Sequence, residues 1–452
     1  MGVMDNKFLK LISLQSLQNW SVQYLMQSRF SYKEKFDLVP IGSFLKRSRQ
    51  LISIEDDQLY QRVTVKINNG GVVPRDTVIG SSIGTKSQYR VKSGHFIMSK
   101  IDARNGAFGL VPACLHGAIV TNDFPVFDVD KSVILPEFLV LITTTKAFIS
   151  FAQSCSSGTT NRQRIDIDAF LDVKIPLPSL PEQNRIVNAY NEKIKLAEEL
   201  EVIANSIEQE IEDALLEELG LEDIVENHFT KCNLNLFQFS KMVDRWDVYN
   251  KSSNLLILLR GAKFPLKALS EVFNFVRRSW KKNKHAEEYF DYIDLGSIDT
   301  LKGITESRKI ILKDAPSRAT QTVKTGDLII GTTRPYLKRF ALVTEDYDQF
   351  IVSSGFQVIE PSKECNLEFL LEFLKSSYGT KQLEQHMTGA LYPAITGRAL
   401  KNILIPFPPV DIQNKIVKKS NKMKMRLIEL NQRMSELYKI ALKEFENEIF
   451  TR

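Results

Sequence analysis

The stretch that decides the fold reads IPLPSLPEQNRIV at residues 175–187, and it returns as IPFPPVDIQNKIV at residues 405–417. The two copies align position by position, with no gap between the matched residues. In each copy a short β-like stretch that ends in prolines runs directly into a long helical pattern. The repeat predicts a duplicated unit in which a globular domain precedes a long helix, and therefore two similar sites in one chain.

The repeat extends through the whole chain, and the spacing between matched segments changes by only a few positions from one end to the other. The chain is therefore predicted to be two tandem copies of one unit. The further matching segments are residues 19–22 with 245–248, 36–38 with 264–266, 91–97 with 323–329, 119–121 with 351–353, and 136–139 with 367–370.

Each predicted helix carries an apolar seam with alternating spacings of three and four residues, which is typical of a helix that buries a narrow stripe against another helix. Residues 182–223 carry a net charge of −10 and residues 411–452 a net charge of +4, so the two helices are expected to pair with each other, antiparallel and within one chain. Such a pair would hold the domains a fixed distance apart. Packing onto the domains, or an intermolecular coiled coil, is the alternative. The seam residues are Ala197, Leu200, Ala204, Ile207 and Ile211 in the first helix and Met423, Leu427, Leu430, Met434 and Leu437 in the second.

The predicted fold class is α+β, with two tandem domains of mixed α/β structure separated by two long helices that form an antiparallel coiled coil with pseudo-twofold symmetry. Four segments are expected. They are a first globular domain at 1–180 with an N-terminal arm at 1–35, a central helix at 181–226, a second globular domain at 227–410, and a C-terminal helix at 411–452.

Composition is ordinary for a globular protein, with 43% hydrophobic and 25% charged residues. The formal net charge is +6, and the regions outside the two helical segments carry a net +12, which fits either a polyanionic partner or simple solubility. There is no apolar run long enough to span a membrane and no signal-peptide pattern. The four cysteines are scattered without metal or disulfide spacing, so a cytoplasmic location is expected.

Together these features resemble the specificity subunit of type I restriction-modification systems. The resemblance rests on the Lys-x-Gly stretches at 92–94 and 324–326, the stretch at 99–107 with its counterpart at 331–335, and the proline-rich junctions quoted above. A Gly-containing loop before the last strand also belongs to the pattern. The resemblance covers essentially the whole chain, twice. One departure is that the second junction reads Asp-Ile-Gln at 411–413, where the pattern has Pro-Glu-Gln.

The resemblance implies two target-recognition domains, each reading one half of a bipartite, asymmetric sequence in double-stranded DNA, mostly through the major groove. It implies that the helices set the number of unread base pairs and dock two methyltransferase subunits, and that restriction (translocase) subunits join them to cleave. The chain would be non-catalytic and would hold no cofactor, because S-adenosylmethionine belongs to the partner methyltransferase. The arm at 1–35 has a counterpart at 227–263, and its role stays open.

Loop residues are the candidates for DNA contact, because Arg can read guanine, and Asn or Gln adenine, with two hydrogen bonds. The loop at 159–164 differs from its counterpart at 388–393 although the flanks match, as expected if the two domains read different half-sites. The basic residues at 46–49 correspond roughly to those at 277–282 and suit phosphate contacts. The predicted DNA-binding residues are Lys46, Arg47, Lys100, Arg104, Asn105, Asn161, Arg162, Gln163 and Arg164 in the first copy, and Arg277, Arg278, Lys281, Arg334, Tyr336, Lys338, Arg339 and Tyr392 in the second.

Catalytic motifs are not convincing in this sequence. Asp166, Asp168, Asp172 and Lys174 resemble the carboxylate–lysine cluster of nucleases, but such a cluster arises easily in a charged stretch, and Asp168 is expected to cap the short helix that follows. The five histidines show no paired spacing for metal or base work and are expected at the surface or half-buried.

Two other interpretations stay open. The chain could be the detached recognition half of a single-chain restriction-methyltransferase, which an adjacent methyltransferase gene would disfavour. It could also be a structural coiled-coil protein that assembles other chains. That interpretation predicts no binding to duplex DNA and leaves the divergent basic loops unexplained.

Overall fold

The computed structural model describes residues 33, 35–145, 148–149, 152, 156–157, 164–222, 224, 255–281, 288–389 and 392–450. Almost all of the predicted arm at 1–35, and residues 227–254 of its counterpart, lie outside the described residues. The described chain forms two compact units. Residues up to Glu198, together with those from Ser435 onward, make the first unit, and Glu199–Met434 make the second. The four-part division predicted from the sequence concerns functional segments, and it stays a prediction.

The first unit is built on two sheets. One has the order β2-β10-β7-β8 and the other β3-β6-β9-β4-β5, in which β4 and β9 run parallel, and two further pairs, β1 with β13 and β11 with β12, complete the unit. Its strands are β1 Leu38–Pro40, β2 Leu45–Ser48, β3 Leu51–Ser53, β4 Leu59–Val65, β5 Val72–Ile79, β6 Ser87–Arg90, β7 Phe96–Met98, β8 Phe108–Leu110, β9 Ile119–Val120, β10 Val126–Val129, β11 Ser156–Ser157, β12 Arg164–Ile165 and β13 Lys174–Pro176.

The second unit repeats this topology. Its sheets have the orders β15-β24-β21-β22 and β19-β16-β23-β20, with β16 and β23 parallel, and β14 pairs with β25 as β1 pairs with β13. The predicted duplication is therefore a duplication of fold. Its strands are β14 Leu266–Ala268, β15 Asn274–Val276, β16 Tyr289–Ile293, β17 Ile298–Asp299, β18 Gly303–Ile304, β19 Arg308–Ile311, β20 Ala319–Thr322, β21 Leu328–Gly331, β22 Phe340–Leu342, β23 Ile351–Ser353, β24 Phe356–Glu360 and β25 Leu404–Pro406.

Both long helices predicted from the apolar seams are present, and each has 40 residues, which makes it about 60 Å long. No helix among the described residues is long and apolar enough to cross a membrane. The helices are α1 Pro136–Thr144, α2 Ile167–Leu171, α3 Leu180–Leu219, α4 Leu255–Arg260, α5 Leu269–Val272, α6 Leu367–Lys375, α7 Ser377–Gln385, α8 Gly397–Lys401 and α9 Val410–Ile449.

The antiparallel pairing of α3 and α9 is confirmed in each unit separately. In the first unit, Arg185 near the start of α3 pairs with Glu448 near the end of α9, with 3.1 Å between Nη2 and Oε2. In the second unit, Glu218 near the end of α3 pairs with Lys415 near the start of α9 at 2.7 Å. The seam residues that cluster in the second unit are Ala204, Ile207 and Leu427, with Ile211, Met423, Leu430 and Met434 packed beside them. Of the remaining seam residues, Ala197 and Leu200 are buried and Leu437 is half-buried.

The polarity of the helix pairs reverses along α3. In the second unit the acid lies on α3 and the base on α9, as the net charges of the helices predict. In the first unit the base lies on α3, since Arg185 pairs with Glu448 and Lys193 with Glu444. Net charge therefore predicts the partner helix but not the local polarity, because acids of α9 cluster in its last turns.

A buried glutamine fastens each long helix to its own domain. Gln183 is fully buried, its Oε1 accepts from the Leu135 N–H at 2.8 Å, and its Nε2 donates to the carbonyls of Val133 at 3.2 Å and Pro178 at 2.8 Å. Leu135 is the N-cap residue that precedes α1, and its side chain cannot cap the helix. The amide of Gln183 therefore supplies an acceptor that the start of α1 lacks.

The same contact recurs at the second junction. Gln413 is fully buried, its Oε1 accepts from the N–H of Asn366 at 2.8 Å, and its Nε2 donates to the carbonyl of Pro408 at 2.9 Å. Asn366 is the N-cap residue of α6, as Leu135 is the N-cap residue of α1. The departure at 411–413 thus keeps the one junction residue whose side chain makes the buried contact. We call each arrangement a glutamine latch.

We expect Gln183→Leu and Gln413→Leu each to lower the free energy of unfolding by about 2 kcal/mol, because a buried backbone N–H and a carbonyl lose their partners. Urea unfolding of the full chain measures this effect. Asn184→Leu is the matched control, since the neighbouring Asn184 is exposed and should change stability little. Equal effects at positions 183 and 184 would contradict the role of the latch.

A buried ionic contact is built differently in the two units. In the second unit the fully buried Asp327 accepts from Arg278 at 2.5 and 3.2 Å and from the Lys324 N–H at 2.8 Å, and Arg278 also pairs with Glu360. The cation in this unit is therefore an arginine that bridges two carboxylates.

The first unit has a histidine in place of that aspartate. His95 is buried, contrary to the expectation that histidines lie at or near the surface. Its Nδ1 accepts from the Lys92 N–H at 3.1 Å, so its Nε2 carries the proton and donates to Asp128 at 3.0 Å. Burial lowers the pKa of His95, Asp128 opposes that shift, and the charges of Lys92 and His116 add to it.

Acid should therefore weaken the first unit through His95. The unfolded histidine binds its proton near pH 6.5, while the folded one does so only at lower pH. At a pH between the pKa of the unfolded histidine and the lower pKa of the folded one, the unfolded state binds more protons, so stability falls as the pH is lowered. We expect the urea midpoint to fall more steeply between about pH 7 and about pH 5 in the wild type than in His95→Gln, whose amide can make both contacts without titrating. The exposed His116→Gln should stay close to the wild type, because His116 is the smallest of the causes that lower the pKa of His95, and parallel slopes for all three proteins would refute the assignment.

Candidate nucleic-acid interface

Three segments of the first unit meet at one edge of its sheets. The N–H of Ile165 in β12 donates to the carbonyl of Lys100 at 2.9 Å, and the N–H of Lys100 donates to the carbonyl of Asp123 at 2.8 Å. Arg47 of β2 reaches the same loop, because its Nη2 donates to the Oδ1 of Asn122 at 3.3 Å. The hairpin of β11 and β12, the turn after β7 and the loop after β9 are thus held together by backbone hydrogen bonds.

Three of the predicted DNA-binding residues converge at this edge. Arg164 pairs with Asp123, with 3.2 Å from Nε to Oδ1 and 3.4 Å from Nη2 to Oδ2. Burial, and then the nearby charge of Arg47, lower the pKa of Lys100. The charge of Asp123 raises this pKa, and the charge of Arg164 lowers it further. Burial and then Arg49 lower the pKa of Arg47. The cations here outnumber the two carboxylates that act on them, Asp123 and Asp168, so the surface is net positive, which suits a polyanion.

The other predicted residues of the first copy have mixed positions. Arg104 lies half-buried in the short 3-10 helix Ala103–Asn105 and has interactions of its own, whereas Lys46 and Asn105 are exposed. Asn161, Arg162 and Gln163 lie outside the described residues. All of these assignments to DNA contact stay predictions.

The second unit holds the equivalent segments with the same backbone bonds. The N–H of Ile395 donates to the carbonyl of Thr332 at 2.9 Å, and the N–H of Thr332 donates to the carbonyl of Gly355 at 2.8 Å. Thr332 therefore occupies the place of Lys100, Gly355 that of Asp123, and Ala394 that of Arg164. None of these three residues carries a charged side chain, so the cationic cluster of the first unit has no counterpart at the same positions.

The side chains offered by the second unit lie on the neighbouring turn and hairpin. The N–H of Arg334 donates to the carbonyl of Pro393 at 2.7 Å, and its guanidinium lies 5.7 Å from the centre of the Tyr392 ring. Tyr392 is 74% exposed. Tyr336 and Leu337 are exposed as well. This surface combines one cation with apolar and aromatic area, and can stack on a planar group or contact a methyl group.

The backbone that presents this surface is strained. Arg334 and Lys338 take left-handed conformations, with φ of 48° and 52°, on either side of the short helix Pro335–Leu337. In the first unit the position of Lys338 is held by Gly106, with φ of 78°. A lysine where glycine is the easier residue costs stability, and such strain is concentrated at functional positions.

Several predicted residues of the second copy have structural partners. Arg278 is held by Asp327 and Glu360, and Arg339 donates to the carbonyl of Ile298. Arg277 and Lys281 are exposed. As DNA contacts these residues, with Arg334, Tyr336, Lys338 and Tyr392, stay predictions.

The strand register refines the rough correspondence between the two basic segments. Arg47 faces Phe127 across β2 and β10, and Phe275 faces Ile359 across β15 and β24, so Arg47 matches Phe275. The partner of Arg277 is therefore Arg49. The register here is the one that already matches 36–38 with 264–266, and it changes by a few residues only before the later match of 91–97 with 323–329, so a register taken from the later segments slips here.

Asn122 and Asp123 are site residues that the sequence reasoning missed. They follow β9, whose counterpart β23 has matching sequence, whereas Asp123 is replaced by Gly355. The hairpin was identified because its two copies differ in sequence although their flanking segments match. The same comparison, applied to the loops that follow β9 and β23, would have identified Asn122 and Asp123.

The residue that caps α2 is Asp166, not the expected Asp168. The side chain of Asp166 accepts from the N–H groups of Asp168 and Ala169 at 2.9 and 3.1 Å. The prediction placed the cap two residues late, because the helix begins at Ile167. One member of the nuclease-like cluster thus has a structural role. In the part of the chain that the structure describes, no group of three or more His, Cys, Asp or Glu residues is arranged to hold a metal ion.

Comparison with known proteins finds one family in both copies of the repeat. The model of the type I restriction modification DNA specificity domain matches twice, at residues 34–209 and 263–437. The HindI specificity subunit of Haemophilus influenzae is 33% identical over 110 residues, which is 24% of each chain. The MjaVIII specificity subunit of Methanocaldococcus jannaschii is 22% identical over 324 residues, which is 69% of each chain.

A solved structure shares the fold. It is described as the structural basis of complex assembly and conformational transition of the type I R-M system, and its chain matches with a TM-score of 0.52 at 17% identity, covering 93% of this chain and 99% of that one. The two family matches fall on the two copies of the repeat, and each includes the elements that form the edge described above. The chain therefore belongs to the family of type I restriction-modification DNA specificity subunits.

Proposed function

We propose that this chain is the DNA-reading subunit of a type I restriction-modification enzyme, and that each unit reads one half of a split duplex target. The observation that carries the proposal is the pair of equivalent edges. The same backbone hydrogen bonds hold Lys100, Asp123 and Arg164 in one unit and Thr332, Gly355 and Ala394 in the other. One scaffold with different side chains is what reading two different sequences requires.

We propose further that α3 and α9 set the number of base pairs left unread between the half-sites. Their pairing along 40 residues each supports this, because two packed helices resist bending more than a loop does. In this proposal the same helices dock two methyltransferase subunits, and restriction subunits join the complex. The curated relatives are named as specificity subunits of type I restriction enzymes, which supports the assembly in outline.

Catalysis in this proposal belongs to the partners. The methyltransferase subunit binds S-adenosylmethionine and methylates adenine, while this chain chooses the site. Family membership supports this division of labour, since the matching domain is named for specificity rather than for a reaction.

Mapping of methylated adenines tests the proposal directly. The chain is expressed with its methyltransferase subunit in a host that lacks adenine methylation, and the genome is read by long-read sequencing. We expect two short blocks of fixed bases around a constant run of unread bases. An unbroken motif would refute the two-domain arrangement, and absence of methylation by a purified, folded complex would favour a purely structural role.

Single substitutions should separate the two half-sites. We expect Arg164→Ala to relax bases in one block and Tyr392→Ala to relax bases in the other, each with a roughly tenfold loss of discrimination at the affected base. Tyr289→Ala is the matched control for Tyr392. Tyr289 is 59% exposed and has the Lys309 ammonium over its ring, but it lies at the start of β16, away from the edge described above. The control should leave the motif unchanged. Relaxation of both blocks by one substitution would contradict the division between the units.

A further inference from the structure

Neither member of the ion pair of Arg164 and Asp123 is present at the matching positions of the second unit. The matching positions are Ala394 and Gly355, yet the backbone bonds around them have the same lengths, 2.9 and 2.8 Å, in both units. The fold therefore stands without the pair. The first unit carries both of its members and the second unit carries neither, which indicates that they act together.

Stability does not explain the pair. The side chains of Arg164 and Asp123 are 55% and 41% exposed, and an ion pair so open to solvent contributes little to folding. Its two contacts, at 3.2 and 3.4 Å, are also longer than the roughly 2.7–2.9 Å usual for charge-assisted hydrogen bonds. A pair that is exposed, loose and dispensable to the fold is available for another partner.

The geometry of the pair leaves one edge of the guanidinium for that partner. Asp123 takes Nε and one proton of Nη2, so the edge formed by Nη1 and Nη2 lies outside the ion pair. Two parallel N–H groups on one edge match the O6 and N7 acceptors of guanine in the major groove. The carboxylate meanwhile holds the plane of the guanidinium, which lowers the entropy lost on binding.

The surroundings favour an electronegative partner. Lys100 and Arg47 lie close enough for their charges to act on each other, and Arg47 is fixed by its hydrogen bond to Asn122. These cations suit the phosphates on either side of a base, and guanine presents the groove edge richest in acceptors.

We infer that Arg164 reads a guanine in the half-site of the first unit and that Asp123 is its positioning residue. This inference rests on the proposed function and names the base class for one of its contacts. Arg164 donates from Nη1 and Nη2 to O6 and N7, and Asp123 keeps its hold on Nε.

The experiment uses the full chain in complex with its methyltransferase subunit. Binding is measured to duplexes that carry the mapped target, with each fixed base replaced in turn by the other three. For Arg164→Lys, which keeps the charge but not the fork, we expect one guanine of one block to lose its preference by roughly tenfold or more, with every other base unaffected. Arg164→Gln, a second variant, should lose the same guanine and gain adenine at that position.

Asp123→Asn tests the positioning role. We expect a smaller loss of preference at the same guanine without weaker overall binding, because one negative charge is removed beside the DNA while the arginine remains. A merely structural role would lower the affinity and the urea midpoint together and leave the base preference intact.

Arg62→Lys is the matched control, since Arg62 and Asp76 form an exposed ion pair on β4 and β5 of the same unit. It should leave every preference unchanged. The inference is overturned if Arg164→Lys leaves the motif intact, if it relaxes a base other than guanine, or if it weakens all sequences equally with a smaller salt dependence, which would make Arg164 a phosphate contact. A wild-type complex without a split motif would instead refute the proposed function.

Discussion

The two glutamine latches are the contacts on which the rest of this structure depends. A long helix can position a recognition surface only if the angle between helix and domain is fixed, and a side-chain amide buried among backbone groups fixes it well, because every alternative angle leaves polar groups unpaired. Gln183 and Gln413 do this at matching positions with matching bonds. The strand pair beside each latch, β1 with β13 and β14 with β25, completes the attachment.

The two units share this attachment but differ in the side chains of their buried ionic contact and of their candidate interface. The buried His95 replaces Asp327 while its backbone donor, the N–H of residue 92 or 324, is kept. Charged side chains at the edge of the first unit are replaced by small ones in the second, and the second unit places Arg334 and Tyr392 nearby instead. The physical requirement is the same in all these cases: backbone bonds preserve the shape, and side chains are free to vary where they do not carry it.

The duplication, both helices and their pairing were predictable, because they depend on periodicity and on a repeated motif that lie within short stretches of sequence. The edge was predictable only in part. The divergence of the hairpin pointed to Arg164, but the partner Asp123 comes from a separate loop far back in the sequence, and no local pattern joins the two. The register that matches Arg277 with Arg49 and the left-handed backbone at Lys338 depend on loop lengths and tertiary contacts, which propensity does not record.

One property of the latches bears on how such a protein changes over evolutionary time. Each glutamine bonds only to main-chain atoms of its domain, at Leu135, Val133 and Pro178 or at Asn366 and Pro408. Main-chain atoms are the same whatever residues carry them, so the attachment is blind to the sequence of the domain. Sequence drift within the domain therefore leaves the fastening intact wherever the path of the main chain is kept. The sequence of each domain can therefore evolve while the attachment of its long helix stays the same.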